Sequence, residues 1–117
     1  MKKLVLLVDD EEIIRLTTCE ILEELGFDVI TAATGNEGFT IFKDRNSEIS
    51  LAFIDMTLPD MSGFELFEKM KKISPSVKFL LTSGYRQDMT GAGNEAAFIQ
   101  KPYTISELSS RLKKLIG

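Results

Sequence analysis

A run of apolar residues that ends at a single carboxylate constrains the fold of this chain more than any other stretch. The run Leu51–Ile54 is followed at once by Asp55, and Pro59 then prevents further sheet pairing because proline has no amide donor. Ser62 and Glu65 have the spacing of a capping box, which predicts that a helix begins just after Ser62. The order strand, acid, turn and helix is typical of α/β sheets, whose sites form at the carboxyl ends of the strands. Taken alone, Asp55 could also be an acid that merely ends a strand.

The same alternation of strand and helix continues through the chain. Apolar runs predict strands at Lys3–Val8, Phe27–Ala33, Ile49–Ile54, Val77–Thr82 and Ala96–Ile99. Helical periodicity and capping residues predict helices at Glu11–Leu25, Asn36–Asp44 and Gly63–Ile73, and a last helix after Thr104 with Ile105, Leu108, Leu112 and Leu115 on its inner face. The pattern predicts an α/β fold, a doubly wound five-stranded parallel sheet of flavodoxin-like strand order 2-1-3-4-5 with helices on both faces. Because Gln87–Gly93 is short and contains two glycines, we expect a short or irregular fourth helix there.

Composition excludes several classes of function. The 117 residues predict a single domain, 1–117. A net charge of −4 without a long basic block argues against direct nucleic-acid binding, and no apolar run approaches the roughly 18 residues needed to cross a membrane. The single Cys19 cannot form an internal disulfide, which together with the lack of a signal-peptide core predicts a cytoplasmic location. The absence of histidine excludes Ser–His or Cys–His nucleophiles and a His-ligated zinc.

Polar side chains follow four of the predicted strands. Asp9 and Asp10 follow the first strand, Asp55 the third, Thr82 ends the fourth and Lys101 follows the fifth. The first and third strands are neighbours in a doubly wound sheet, so their carboxylates should meet, where each pair about 4 Å apart repels by roughly 4 kcal/mol. Such a cluster persists only if a cation or a proton relieves the repulsion, and oxygen ligands with water in the remaining positions suit Mg²⁺. A carboxylate beside a divalent ion, a lysine and a hydroxyl can attack phosphorus to form an aspartyl phosphate.

These features resemble a response-regulator receiver domain along the entire chain. The matching segments are Val8–Glu11, Asp55–Gly63, Thr82–Ser83 and Phe98–Pro102. The resemblance implies that Asp55 is the phosphoacceptor. It implies further that Asp10 binds Mg²⁺ directly, that Asp9 binds it mainly through water, and that the backbone carbonyl of Thr57 completes the protein ligands.

The resemblance also implies a conformational switch. Thr82 would be the switch hydroxyl, Lys101 the phosphate-binding lysine with a cis bond to Pro102, and Phe98 the switch aromatic. Two departures from other receivers affect this expectation. Gly84 lies two residues after Thr82, where other receivers often carry a side chain that screens the phosphate. The shortened fourth helix would alter the usual output surface.

As a receiver, the chain is expected to take a phosphoryl group from a histidine kinase or a histidine phosphotransfer protein and to signal to a downstream effector. It would be a phosphoacceptor with at most self-phosphorylation and autodephosphorylation activity, and a monomer or a weak dimer. The segments Ser83–Tyr85 and Lys101–Tyr103 are similar to those of receivers attached to hybrid sensor kinases.

Three other functions are compatible with parts of the pattern. A Mg²⁺-dependent phosphohydrolase with an Asp55 nucleophile would usually carry a second acid two residues later, where this chain has Thr57. A flavodoxin-like nucleotide binder would need glycines and free amides after the first strand, where this chain has acids. A receiver fold could also act as an interaction module without phosphorylation.

Overall fold

Five parallel strands form the centre of the molecule in a computed structural model that describes residues 2–84 and 96–117. The strands are β1 (Leu4–Val8), β2 (Asp28–Ala32), β3 (Ile49–Asp55), β4 (Lys78–Ser83) and β5 (Ala97–Gln100). Their order across the sheet is β2-β1-β3-β4-β5, and every neighbouring pair is parallel. This order confirms the doubly wound sheet expected from the sequence. The central strands are apolar on both faces because helices cover both sides.

The described residues form four helices, two against each face of the sheet. They are α1 (Glu12–Glu24), α2 (Gly35–Arg45), α3 (Gly63–Ile73) and α4 (Ile105–Leu115). Side chains of α2 and α3 pack with Leu6 and Val8 of β1, whereas those of α1 and α4 pack with Val5 and Leu7. Successive residues of β1 thus point to the hydrophobic cores on opposite faces of the sheet, because side chains alternate between the two faces along a strand. No helix in these described ranges is long and apolar enough to span a bilayer.

Side-chain caps fix where three of the helices begin. Thr34 accepts a hydrogen bond from the amide of Glu37 at 3.1 Å, and Ser62 accepts one from Glu65 at 3.0 Å. The expected capping box at the start of α4 is complete, because Thr104 and Glu107 bond to each other's amides. These caps satisfy amides that have no partner within the helix.

Two sequence expectations differ from the structure or fall outside it. Ile105 was expected on the inner face of the last helix, but it is 57% exposed, and the buried stripe of α4 consists of Leu108 and Leu112. The helix begins at Ile105, so this side chain belongs to a first turn that does not reach the core packed by the next two turns. The irregular fourth helix expected at 87–93 lies outside the described residues.

Candidate functional site

The register of the sheet brings the predicted polar side chains to one edge. Val8 is paired with Ile54, so Asp9, the next residue, lies beside the end of β3. Asp55 is itself paired with Thr82 of β4. Beyond β5, the amide of Lys101 donates to the carbonyl of Ser83 at 2.9 Å. Four residues from distant parts of the sequence therefore meet because parallel strands end at the same edge.

Lys101 is at the centre of this cluster. Its Nζ lies 2.8 Å from Asp55 Oδ2, 3.1 Å from Asp9 Oδ2 and 3.1 Å from Glu11 Oε1. Burial by itself would lower the pKa of this ammonium group, but the hydrogen bond and charge of Asp55, followed by Asp9 and Glu11, raise the pKa well above its ordinary value. Lys101 is therefore a fixed positive charge at any physiological pH.

Three carboxylates share this one ammonium group. Oxygens of Asp9, Glu11 and Asp55 all lie within 4.8 Å of one another, and Asp9 and Asp55 are buried. At that separation two ionised carboxylates repel by roughly 3.5 kcal/mol at an effective dielectric of about 20. Burial raises the pKa of Asp9, against the lowering effects of the Glu11 amide and Lys101, and the charge of Asp55 raises it further. The cluster is therefore short of positive charge, which a divalent cation would supply.

An open pocket of about 450 Å³ lies over the cluster, and its lining fits Mg²⁺. It is lined by Asp10, Glu11, Asp55, Thr57, Gly84 and Lys101. The atoms that these residues offer to a metal are carboxylate and backbone carbonyl oxygens, and the pocket leaves space for water molecules. This is the ligand set that Mg²⁺ prefers. Asp10, the expected direct ligand, is exposed and reaches this pocket, although its oxygens are not part of the tight carboxylate group.

Glu11 is a site residue that the sequence analysis did not single out. The sequence predicts only that a helix begins at Glu11, yet its carboxylate Oε1 accepts a hydrogen bond from Lys101 Nζ at 3.1 Å. The run Asp9–Glu12 showed that acids follow β1, but it could not show which of them reaches a lysine 90 positions away.

Hydrogen bonds hold the Asp55 carboxylate in position, and a close approach of α3 supports the end of the strand behind it. The amide of Thr57 donates to Asp55 Oδ1 at 3.0 Å, while Lys101 holds Oδ2. Gly63 lies directly behind, where its amide donates to the carbonyl of Met56 at 2.8 Å. A Cβ on Gly63 would lie 2.3 Å from the carbonyl oxygen of Asp55, so only glycine allows α3 to approach the strand end this closely.

Thr82, next to Asp55, carries a polar atom for which the described residues provide no hydrogen-bond partner. The residue is 2% exposed, and its hydroxyl has no hydrogen-bond partner within the described part of the chain. Leaving a buried hydroxyl unpaired costs about 1–3 kcal/mol, so such groups are uncommon. An additional acceptor oxygen bound at Asp55 would give this hydroxyl a partner.

Phe98 and the residues after Lys101 complete the surroundings. Phe98 is half-buried opposite Leu81, and its carbonyl accepts a hydrogen bond from the guanidinium of Arg111. The expected cis bond between Lys101 and Pro102 is present.

Tyr103 links this end of the chain to α1. Its hydroxyl lies 2.8 Å from the hydroxyl of Thr18, and its ring packs against Phe53 at 5.7 Å between centroids. Burial raises the pKa of Tyr103, so the phenol stays neutral, and either hydroxyl can donate the hydrogen bond between Tyr103 and Thr18.

An apolar groove of about 480 Å³ adjoins the pocket on the side of α1. Its lining includes Ile13, Ile14, Thr17, Ile21, Pro102 and Tyr103, together with Glu11 and Lys101, which also line the polar pocket. On the same helix, Ile13 is 80% and Leu16 is 56% exposed. Exposed apolar residues beside a polar pocket are typical of a surface that binds another protein.

Comparisons with known proteins agree with this geometry. A family model described as the response regulator receiver domain matches residues 5–113. Chemotaxis protein CheY of Thermotoga maritima is 31% identical over 121 residues, which cover 98% of this chain and 98% of that protein. The crystal structure of response regulator protein TrrA from Thermotoga maritima, solved in complex with Mg(2+)-BeF, superposes with a TM-score of 0.86 at 30% identity and covers 99% of this chain and 100% of that one.

Some relatives are much longer than this chain. Sensor kinase CckA of Brucella abortus is 30% identical over 116 residues, which cover 96% of this chain but 12% of the kinase. The chain likewise spans 48% of a probable transcriptional regulator, ycf27, of Porphyridium aerugineum. The similarity is therefore to one part of these proteins.

Proposed function

The chain belongs to the response regulator receiver domain family, whose members are phosphoacceptors in two-component signalling, and we propose that Asp55 is the residue that accepts the phosphoryl group. The observation that carries this assignment is the set of groups around the Asp55 carboxylate. One oxygen accepts a hydrogen bond from the Thr57 amide, the other accepts one from the Lys101 ammonium group, and the Thr82 hydroxyl on the neighbouring strand has no partner among the described residues.

The transfer follows from these positions. An oxygen of the Asp55 carboxylate attacks phosphorus and forms an O–P bond, while the bond from phosphorus to the donor atom breaks and its electron pair leaves with the donor. Lys101, already 2.8 Å from Asp55, neutralises charge on the phosphoryl oxygens, and Thr82 donates to one of them. Asp55 is buried but lines an open pocket, through which a donor can approach it.

Mg²⁺ is the cofactor that this pocket fits. We propose that Asp9, Asp10, Asp55 and the carbonyl of Thr57 hold it, as the resemblance to receivers implies. When bound, the ion neutralises the oxygens of the phosphoryl group during transfer. The shortage of positive charge among the buried carboxylates supports this proposal.

The switch and the partners are part of the same proposal. Thr82 is expected to turn toward the phosphoryl group, and Phe98 to move into the space that Thr82 leaves. The donor, a histidine kinase or a histidine phosphotransfer protein, would cover the apolar groove beside Ile13 and Leu16, because that groove continues into the phosphoacceptor pocket.

Receiver domains are phosphoacceptors rather than enzymes, and we expect no activity here beyond self-phosphorylation and autodephosphorylation. Thr57 occupies the position where a phosphohydrolase would carry its general acid. A cytoplasmic location and a monomer or weak dimer remain predictions from the sequence.

Mass spectrometry of the intact protein with acetyl phosphate and Mg²⁺ tests the assignment. The wild type should gain about 80 Da, the mass of one phosphoryl group, and Asp55→Asn should gain nothing because the amide is not a nucleophile. Asp44→Asn, which changes an exposed acid of α2, is the matched control and should behave as the wild type. Uptake of phosphate by Asp55→Asn, or on Thr82 or Ser83 of the wild type, would contradict the assignment.

A further inference from the structure

The loop between β3 and α3, residues 56–62, is bound to the start of α2 by the side chain of Asp60. Oδ1 of Asp60 accepts the amide of Gly35 and Oδ2 accepts the amide of Asn36, both at 2.8 Å. These are the first two amides of α2, which have no partner within the helix. The helix has its own cap in Thr34, but that hydroxyl serves a different amide, Glu37. Asp60 therefore adds a connection between two segments 24 and 25 residues apart.

Packing joins the same two segments independently of these hydrogen bonds. The side chain of Met61 lies on the backbone of Gly35, where a Cβ would be only 2.5 Å from Cγ of Met61 and 2.8 Å from its sulfur. Gly35 is buried, and its missing side chain is what allows the loop to lie against the helix. The tip of the loop is thus held by a carboxylate and by an apolar contact on one helical turn.

The other end of the loop is continuous with the phosphoacceptor. Thr57 and Ser62 form an isolated β-bridge, and the amide of Gly63 donates to the carbonyl of Met56. Thr57 also donates its amide to Asp55 Oδ1. The loop is therefore closed at its base by hydrogen bonds, and we expect a displacement of its tip to move Thr57 as well.

We propose that Asp60 is a positioning residue for the phosphoryl-transfer site. By fixing residues 56–62 against the first turn of α2, it sets where the amide and carbonyl of Thr57 stand beside Asp55. It acts through Thr57 and does not touch the phosphoryl group. The proposal rests on the proposed function, since Thr57 matters only if Asp55 accepts phosphate and Mg²⁺ binds beside it. The backbone hydrogen bonds from Asn36 and Gly35 lower the pKa of Asp60, so this contact is ionised at neutral pH.

Asp60→Ala is the direct test, and Thr34→Ala is its matched control. Both substitutions remove acceptors from the N-terminus of α2, but only the first releases the loop. In Asp60→Ala without metal, hydrogen exchange of the Thr57 amide should become faster. Mg²⁺ affinity and the rate of phosphorylation by acetyl phosphate should each fall on the order of tenfold, the low end of the usual loss when an outer-shell partner of a metal site is removed. Asp60→Asn keeps one acceptor oxygen and should restore part of both.

Gly35→Ala tests the same contact from the other side. Alanine favours helix formation over glycine, so α2 should lose no stability by its own propensity, whereas Met61 must shift away from the new Cβ. Faster exchange at Thr57 together with slower phosphorylation would support the proposal.

The outcomes separate this proposal from the one on which it rests. If Thr34→Ala slows phosphorylation as much as Asp60→Ala does, Asp60 acts only as a helix cap and the proposal is wrong. Unchanged Thr57 exchange and unchanged Mg²⁺ affinity in Asp60→Ala would overturn it as well. A wild type that takes up no phosphate on Asp55 would instead refute the proposed function, and the exchange of Thr57 in metal-free protein would still test the contact.

Discussion

Gly63→Ala should damage both the stability and the site of this protein, although it adds a single methyl group. The new Cβ would lie 2.3 Å from the carbonyl oxygen of Asp55 and 2.7 Å from Cα of Met56. Both are backbone atoms of the segment that carries Asp55, so neither can turn aside as the end of a flexible side chain could. Either α3 must retreat from the sheet or the end of β3 must move.

The magnitude follows from these contacts. Overpacking a closely packed site costs about 1–3 kcal/mol, and we expect the upper end because backbone must shift. Retreat of α3 would also break the hydrogen bond from Gly63 to Met56, whose net worth is about 1 kcal/mol. The expected loss is therefore about 3–4 kcal/mol, against a total stability of roughly 5–15 kcal/mol for a small domain. The variant should fold, with a misplaced Asp55.

Urea unfolding and phosphorylation measure the two effects separately. Gly84→Ala is the control for stability, because no atom of the described residues lies within 4 Å of its Cβ and its φ is not positive, so it should stay within about 0.5 kcal/mol of the wild type. Gly63→Ala should also take up phosphate from acetyl phosphate up to about 100-fold more slowly, since a shift near 1 Å in a reacting group can cost that much. An equal urea midpoint for the two variants would show that the close approach of α3 does not constrain this fold.

Further predictions concern the switch and the docking surface. Thr82→Val removes, at nearly constant shape, a hydroxyl that has no partner in residues 2–84 and 96–117, so it should stabilise the unphosphorylated protein by about 1 kcal/mol in urea unfolding; a destabilised variant would mean that the hydroxyl is paired. Beryllofluoride, a phosphoryl mimic, should change hydrogen exchange at Phe98 and Lys101 in the wild type, but not at Phe98 in Thr82→Val; an identical response in both would exclude Thr82 from the switch. Ile13→Asp should slow transfer from a phosphorylated histidine phosphotransfer protein and leave the rate with acetyl phosphate unchanged; equal slowing with both donors would contradict docking at α1.

The comparisons confirm the resemblance found in the sequence, and with it the receiver fold and its role as a phosphoacceptor. The closer resemblance to receivers of hybrid kinases stays a prediction. Sensor kinase CckA is 30% identical to this chain and CheY of Thermotoga maritima is 31% identical, so these similarities do not separate the two kinds of receiver.

The sequence by itself determined the strands and helices, with predicted boundaries within one residue of those observed, and the edge at which the site forms. These features are local: an unbroken, short apolar run such as Leu51–Ile54 is typical of a strand covered on both sides, and caps such as Thr104 with Glu107 act within one turn. The strand order then places Asp9, Asp55 and Lys101 together, because parallel strands end at one edge. The resemblance to receivers supplied the separate roles of these residues, and those roles remain proposals.

Only the tertiary structure decided which side chains meet across the loops. Glu11 accepts a hydrogen bond from Lys101, the hydroxyls of Thr18 and Tyr103 bond to each other although they are 85 positions apart, and Asp60 binds the first amides of α2. The tertiary structure also left Ile105 exposed, although its spacing from Leu108 suggested the inner face. Such contacts depend on the path of each loop and on the reach of each side chain, which no repeating pattern in the sequence encodes. Hydrophobic periodicity records which face of an element is buried, whereas the partner of a polar side chain depends on how elements far apart in sequence come together.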